Sequence, residues 1–137
     1  MCIRDSSYSA QDVIKYTGVS ANYRQWNIGG HYSTSTGKFT APIDGIYRFE
    51  GQCMSTGWSN NDSTQDLIFL NSSNGNISFP RMRRSKFRTE DDDNGYFTNS
   101  VGGQANLSAG DTVWLQLDKG CSISNSDYSY FTGWLVQ

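Results

Sequence analysis

The chain has 137 residues, of which 14% are aromatic and 18% are charged, and its formal net charge at pH 7 is −2. This length allows one domain with a hydrophobic core but no second one. The small net charge argues against nucleic acid as a partner, and no apolar run reaches the ~20 residues that a membrane span needs. With 14 glycines and only two prolines, the composition favours many short strands joined by tight turns.

The first six residues, MCIRDS, are set apart from the rest. Their back-translation, ATG TGT ATA AGA GAC AGN, resembles the mosaic-end adapter of a common sequencing transposase. We therefore expect residues 1–6 to be an assembly scar outside the fold, and residues 7–137 to be the domain, cut from the C-terminal part of a longer chain. A signal peptide would then not be visible, and Cys2 would not count as a cysteine of the domain.

The remaining sequence predicts strands separated by turns along its whole length. Residues 12–18 form a short strand, residues 20–31 a loop with a turn at Gly29-Gly30, and residues 37–41 a second strand. Gly37 supplies the positive φ of a tight turn, and Pro42 ends strand pairing after Phe39.

The segment PIDGIYRFEGQCM, residues 42–54, carries the clearest alternation. Gly45 completes a turn, after which Tyr47, Phe49, Gly51 and Cys53 share one face of a strand and Ile46, Arg48, Glu50 and Gln52 share the other. Each buried aromatic removes ~150–250 Å² from water, so Tyr47 and Phe49 are predicted to be core residues.

The second half repeats this pattern. Strands are predicted within residues 64–70, 76–88 and 96–107. A turn at Gly110-Asp111 then leads to Val113, Leu115 and Leu117, which alternate with outward-facing Trp114 and Gln116. In the terminal strand, Phe131, Gly133 and Leu135 share the core face, and Gly133 makes room for an aromatic side chain of a neighbouring strand or subunit. Nine or ten short strands indicate an all-β sandwich or jelly roll.

Three phrases of the sequence resemble the signature of the complement C1q globular-head family. They are HYSTSTGKFTAPIDGIYRF with Tyr32, LSAGDTVWLQL, and FTGWLV. The resemblance implies a ten-stranded jelly roll related to tumour necrosis factor, a compact homotrimer, and a binding module instead of an enzyme. The asparagine that precedes the tyrosine loop in the family corresponds to Asn22 or Asn27.

The resemblance also implies an interface and a candidate disulfide. The first and last strands offer interface residues, namely Tyr8, Tyr16, Tyr128 and Tyr130. In the family topology, the strand holding Cys53 runs beside the last strand, so Cys53 and Cys121 are candidates for a disulfide. The alternative is a buried Cys53 thiol with an exposed Cys121. With His31 as the only histidine, one chain cannot supply four Cys or His ligands for zinc.

The segment RMRRSKFRTEDDDNG has the most unusual local chemistry. Arg81, Arg83 and Arg84 are candidates to bind phosphate, sulfate or an acidic glycan, and the alternative is a basic arm neutralised by its own acidic turn. Asp91, Asp92 and Asp93 are candidate Ca²⁺ ligands, because calcium occurs in the family, and the alternative is a solvated turn. No other cofactor is implied.

Trp114 is predicted on an outer face, as either a contact to a neighbour or a binding platform. Four frames of the form Asn-Xaa-Ser, at Asn61, Asn71, Asn76 and Asn106, arise easily in a chain rich in Asn and Ser, and they matter only in a eukaryotic secretory setting.

We expect a non-enzymatic, trimeric recognition domain at the tip of a fibre or stalk, whose loops bind a surface glycan or protein. The alternative is a purely structural trimerisation domain of a viral or phage fibre or of a secreted adhesin. Either function places the chain outside the cell or on a virion. The sequence contains no nucleophile elbow, Walker loop or HExxH motif, which argues against an enzyme.

Overall fold

The structure, a computed structural model of the chain, describes residues 6–9, 12–16, 27–56, 68–73, 97–117, 121–123 and 129–137. The candidate residues Arg81, Arg83, Arg84, Asp91, Asp92, Asp93 and Tyr128 lie outside these ranges. The expectations about an arginine-rich ligand site and a calcium site therefore stay predictions.

The described residues form nine strands and one 3-10 turn. In chain order they are β1 (Ser6–Tyr8), η1 (Ile28–Gly30), β2 (Tyr32–Ser33), β3 (Lys38–Thr40), β4 (Gly45–Thr56), β5 (Ile68–Ser72), β6 (Phe97–Leu107), β7 (Thr112–Leu117), β8 (Cys121–Ile123) and β9 (Tyr130–Leu135). β1 includes Ser6, the last residue of the expected scar, which pairs with Ile123. None of these elements is a helix that could cross a membrane.

The strands make two antiparallel sheets. The first sheet has the order β1-β8-β4-β6, and β9 also pairs with β4 along residues 47–52. The second sheet has the order β2-β3-β7-β5. Residues 12–16, where a strand was predicted, run along β7 instead, with one bridge between Val13 and Gln116 and a hydrogen bond from the Ile14 N–H to the Leu115 carbonyl at 2.9 Å.

The core lies between the inward faces of the two sheets, as the alternation predicted. Tyr47, Phe49 and Cys53 of β4 are buried, and Val113, Leu115 and Leu117 of β7 are buried opposite them. The Phe49 ring centroid lies 5.2 Å from that of Phe39 and 6.0 Å from that of Phe131. These separations fall in the range where aromatic pairs add stabilisation beyond the area they bury.

Two glycines carry out the roles that the sequence predicted for them. Gly37 has a φ of 74°, and a Cβ there would lie 2.7 Å from the Ile14 carbonyl oxygen. Gly133 lies opposite Phe49 in the register of β9 and β4, and a Cβ on it would lie 2.6 Å from Cε1 of that ring. The aromatic side chain that Gly133 accommodates is therefore Phe49, on the neighbouring strand of the same chain.

The side-chain amide of Asn27 binds both backbone groups of Tyr32. Its amide nitrogen donates to the Tyr32 carbonyl at 2.9 Å, and its amide oxygen accepts from the Tyr32 N–H at 3.1 Å. β2 is the edge strand of the second sheet. The Asn27 amide therefore forms the hydrogen bonds to Tyr32 that a neighbouring strand would otherwise form. Asn22, the other candidate for the family's asparagine, lies outside the described residues, so both candidates stand.

Asn27→Asp should lower the free energy of unfolding by about 0.5–1.5 kcal/mol, because a carboxylate cannot donate to the Tyr32 carbonyl and this part-buried hydrogen bond is lost. Urea unfolding of the wild-type protein and of the variant would measure the loss of stability. Asn22→Asp is the matched control, and a larger loss in that variant would contradict this role of Asn27.

Tyr16 was predicted to be an interface residue, and this prediction is wrong. Only 1% of its surface is exposed, its ring stacks on Phe131 at 6.2 Å, and its hydroxyl donates to the Gln52 carbonyl at 3.1 Å. Tyr16 therefore belongs to the core of the sandwich. Tyr130 is exposed, and Tyr8 is described only in its backbone.

Leu135 was predicted to lie in the core but is 43% exposed. It is the last residue of β9, at the rim of the sandwich, and a Cβ on Gly45 would lie 2.6 Å from its Cδ1 atom. Gly45 itself is the first residue of β4 and has no positive φ, so its role is this close contact, where a turn was predicted.

The register of β8 argues against a disulfide between Cys53 and Cys121. Ser55 pairs with Ile123 and Thr56 with Ser122, which places Cys121 four positions along the strand from Cys53. Four residues span ~13 Å, and a disulfide needs Cα atoms within ~7 Å. The Cys53 side chain is buried in the core, in agreement with the alternative that the sequence left open.

Candidate functional site

The outer face of the first sheet is an ordered array of side chains on three adjacent strands. Alternation along each strand and the pairing register place them in four rows across β9, β4 and β6. From the strand ends near the C-terminus, the rows are Val136–Ile46–Asn106, Trp134–Arg48–Gln104, Thr132–Glu50–Gly102 and Tyr130–Gln52–Ser100.

One edge of this face is apolar. Trp134 is 45% exposed, Val136 is 50% exposed and Ile46 is 38% exposed, and they occupy neighbouring places in the first two rows. Ile43 and Leu135 are also exposed and lie on chain segments that adjoin Ile46 and Val136. All the large apolar side chains that are well exposed within the described residues thus belong to this face or its rim.

The centre of the same face is polar but neutral overall. Arg48 donates from Nε at 3.0 Å and from Nη2 at 2.9 Å to one oxygen of Glu50. Next to this pair, the Ser100 hydroxyl donates to the Gln52 amide oxygen at 2.8 Å. Because these groups satisfy one another, a second protein could cover the face without leaving a lone charge buried.

Trp114 lies on the opposite side of the molecule, on the outer face of the second sheet. The Lys38 ammonium lies 4.0 Å from the centroid of its ring, and its indole N–H donates to the Gln116 amide oxygen at 3.2 Å. Lys38 and Trp114 are directly paired in the register of β3 and β7. A positive charge therefore lies beside an apolar ring on this surface, a cation–π contact.

Two turns that belong to different signature phrases, at residues 41–45 and 108–111, are hydrogen-bonded to each other. The Asp44 carboxylate accepts from the Ala109 N–H at 2.7 Å, and the Gly110 N–H donates to the Ala41 carbonyl at 2.8 Å. Asp111 accepts from the Ser108 N–H at 2.9 Å through its carboxylate and closes this turn, in which Gly110 has a φ of 93°. Pro42 precedes Asp44 in the facing turn.

The sequence interpretation did not single out Trp134, Val136 or Ile46. The sequence did contain a signal for them. A strand with one face in water normally places polar side chains at its outward positions, whereas these three outward positions hold apolar side chains. Within the described ranges, no group of three His, Cys, Asp or Glu residues could hold a metal ion.

Two stacked antiparallel sheets with an aromatic core between them define the chain as a jelly-roll β-sandwich of the C1q and tumour necrosis factor class. Residues 3–136 match the family model described as "C1q domain". The chain therefore belongs to the C1q domain family. Domains of this family are non-enzymatic recognition or structural modules and typically form trimers.

Curated relatives are identical to this chain at just over a quarter of the aligned positions. This chain is 28% identical over 121 residues to human Complement C1q tumor necrosis factor-related protein 3, and 28% identical over the same length to the mouse protein. The alignment covers 88% of this chain and 45% of either relative. The chain thus spans about half the length of the curated relatives it matches.

Solved structures agree on the fold. The globular domain of zebrafish complement 1qA has a TM-score of 0.57 and 19% identity, and the match covers 99% of this chain and 94% of that one. The Eiger TNF of S. frugiperda has a TM-score of 0.61 and 18% identity, covering 94% and 82%. At such identities the likeness concerns the fold alone.

Proposed function

We propose that the chain is a homotrimeric, non-enzymatic recognition domain whose three copies pack through the outer face of the first sheet. The observation that supports this proposal is the apolar edge formed by Trp134, Val136 and Ile46. A soluble surface rarely exposes neighbouring large apolar side chains unless they bind another surface, and Trp is enriched in interface centres. Trimers are also the typical assembly of the family.

The two sides of the domain then have separate tasks. Packing of the first sheet's outer face against other copies leaves the outer face of the second sheet, with Trp114 and Lys38, directed outward. An indole beside an ammonium suits a ligand that combines an apolar surface with a negative charge, such as an acidic glycan. Arg81, Arg83 and Arg84 are further candidates to bind an acidic ligand, and Asp91, Asp92 and Asp93 are candidates to bind Ca²⁺.

Trp114→Ala should reduce binding to acidic glycans by at least ~10-fold, because the loss of one well-placed aromatic contact costs 1.4 kcal/mol or more. Binding of the purified trimer to an array of sialylated and sulfated glycans would measure this. Thr40→Ala, at an exposed position of β3 beside Lys38, is the matched control and should bind as the wild type does.

A trimer that binds nothing on this array would contradict glycan recognition and favour the structural alternative, a trimerisation domain of a fibre. Both functions place the domain outside the cell or on a virion surface, at the end of a fibre or stalk. Extracellular placement is supported by the likeness to complement C1q-related proteins.

A further inference from the structure

One of the four Asn-Xaa-Ser frames lies within the proposed trimer face. Asn106, Leu107 and Ser108 form such a frame at the end of β6, where the strand enters the turn at residues 108–111. Asn106 and Ser108 are both exposed, whereas Leu107 between them is buried. An exposed acceptor asparagine beside a turn is the usual setting of an N-linked glycan.

The position of Asn106 on the face is set by its strand register. Asn106 pairs with Ile46, while their neighbours Ala105 and Tyr47 pair on the buried side. Ile46 in turn accepts from the Val136 N–H at 2.7 Å, so Asn106, Ile46 and Val136 form one row. Asn106 is therefore one strand spacing, ~5 Å, from Ile46 of the apolar edge and two spacings, ~10 Å, from Val136.

We propose that Asn106 is an N-glycosylation acceptor, and that a glycan on it and the packing of copies through this face exclude each other. The inference rests on the proposed trimer. In this modification the Asn106 amide nitrogen forms a bond to the sugar's anomeric carbon and loses a proton, and the bond from that carbon to the phosphate of a lipid-pyrophosphate-linked oligosaccharide breaks. The lipid pyrophosphate leaves, and no redox partner is needed.

The physical effect follows from size and hydration. An N-linked oligosaccharide is bulky and strongly solvated, so it cannot be enclosed beside Ile46 in a dry interface without losing its water. The rest of the face already pairs its own polar groups, as Arg48 does with Glu50, and it offers the sugar few partners in exchange. A chain glycosylated at Asn106 is thus held as a monomer, and glycan occupancy sets the fraction of chains that assemble.

The test uses the full chain, secreted from animal cells and also produced in bacteria without glycans. Monomer and trimer fractions are separated by size-exclusion chromatography, and the glycans are removed enzymatically in isotope-labelled water, so that mass spectrometry identifies each occupied asparagine. We expect the Asn106 glycan in the monomer fraction and its loss from the trimer fraction. Asn106→Gln and Ser108→Ala should each move the secreted monomer into the trimer fraction.

Asn71→Gln, which removes a frame on β5 of the second sheet, is the matched control and should leave the partition between monomer and trimer unchanged. Trimers that carry the Asn106 glycan, or secreted chains that never carry it, would overturn this inference and leave the proposed trimer standing. A bacterial, glycan-free chain that stays monomeric at micromolar concentration would instead overturn the proposed trimer, and this inference with it.

Discussion

Phe49→Ala should lower the free energy of unfolding by about 3–5 kcal/mol, which is a large part of the stability of a domain of this size. Phe49 is fully buried and its ring lies at the centre of the aromatic core, in contact range of Phe39, Tyr47 and Phe131. Its removal leaves a cavity that these neighbours can only partly fill, because Gly133, directly opposite, has no side chain to offer.

Urea unfolding at one fixed protein concentration would measure this loss, since assembly makes the apparent stability depend on concentration. Thr40→Ala is a control on an exposed position of β3 next to Phe39, and it should change the stability by no more than about 0.5 kcal/mol. A loss below about 1.5 kcal/mol for Phe49→Ala would show that the core does not depend on this ring.

Trp134→Glu should convert the trimer into a folded monomer. A central aromatic anchor typically contributes about 2–4 kcal/mol to an interface, and each trimer contains three copies of Trp134. The new carboxylate would lie opposite Arg48, whose guanidinium already bonds to Glu50, so the face would carry one more negative charge than positive, and burial of that excess charge is costly.

Light scattering after size-exclusion chromatography would give the mass, and circular dichroism would show that the monomer keeps its strands. Trp114→Glu is the matched control, because it makes the same change on the outer face of the second sheet and should remain trimeric. If Trp134→Glu still elutes as a trimer, the copies do not pack through the face proposed here.

The core residues could be predicted well from the sequence, because alternation along a strand involves only residues that are neighbours in the chain. Alternation with a period of two assigned Tyr47, Phe49, Val113 and Leu115 to the buried side, and each of them is buried. The φ of Gly37 and the room left by Gly133 were predictable for the same reason, since each follows from a short run of neighbouring residues. β1, β2 and β8 were not predicted as strands, because they are two or three residues long and, unlike the equally short β3, they do not lie between a glycine and a proline such as Gly37 and Pro42.

What the sequence could not predict depends on contacts between distant segments. The burial of Tyr16 follows from the path of residues 12–16 along β7, and the distance between Cys53 and Cys121 follows from the register of β8 on β4. The hydrogen bonds between the Asn27 amide and Tyr32 also depend on the path of the loop between these two residues. The apolar edge around Trp134 became visible only when three strands were aligned side by side.

The close approach of Phe49 to Gly133 links two positions that are far apart in the chain. A larger side chain at position 133 would therefore require a smaller one at position 49. Gly51 and Leu115 form a second pair of this kind, because a Cβ on Gly51 would collide with the Leu115 side chain. In an alignment of related domains, these two pairs should therefore covary, with a larger residue at either glycine position accompanied by a smaller one at its partner. Such compensation would let the family change its core residues while keeping the spacing between its layers.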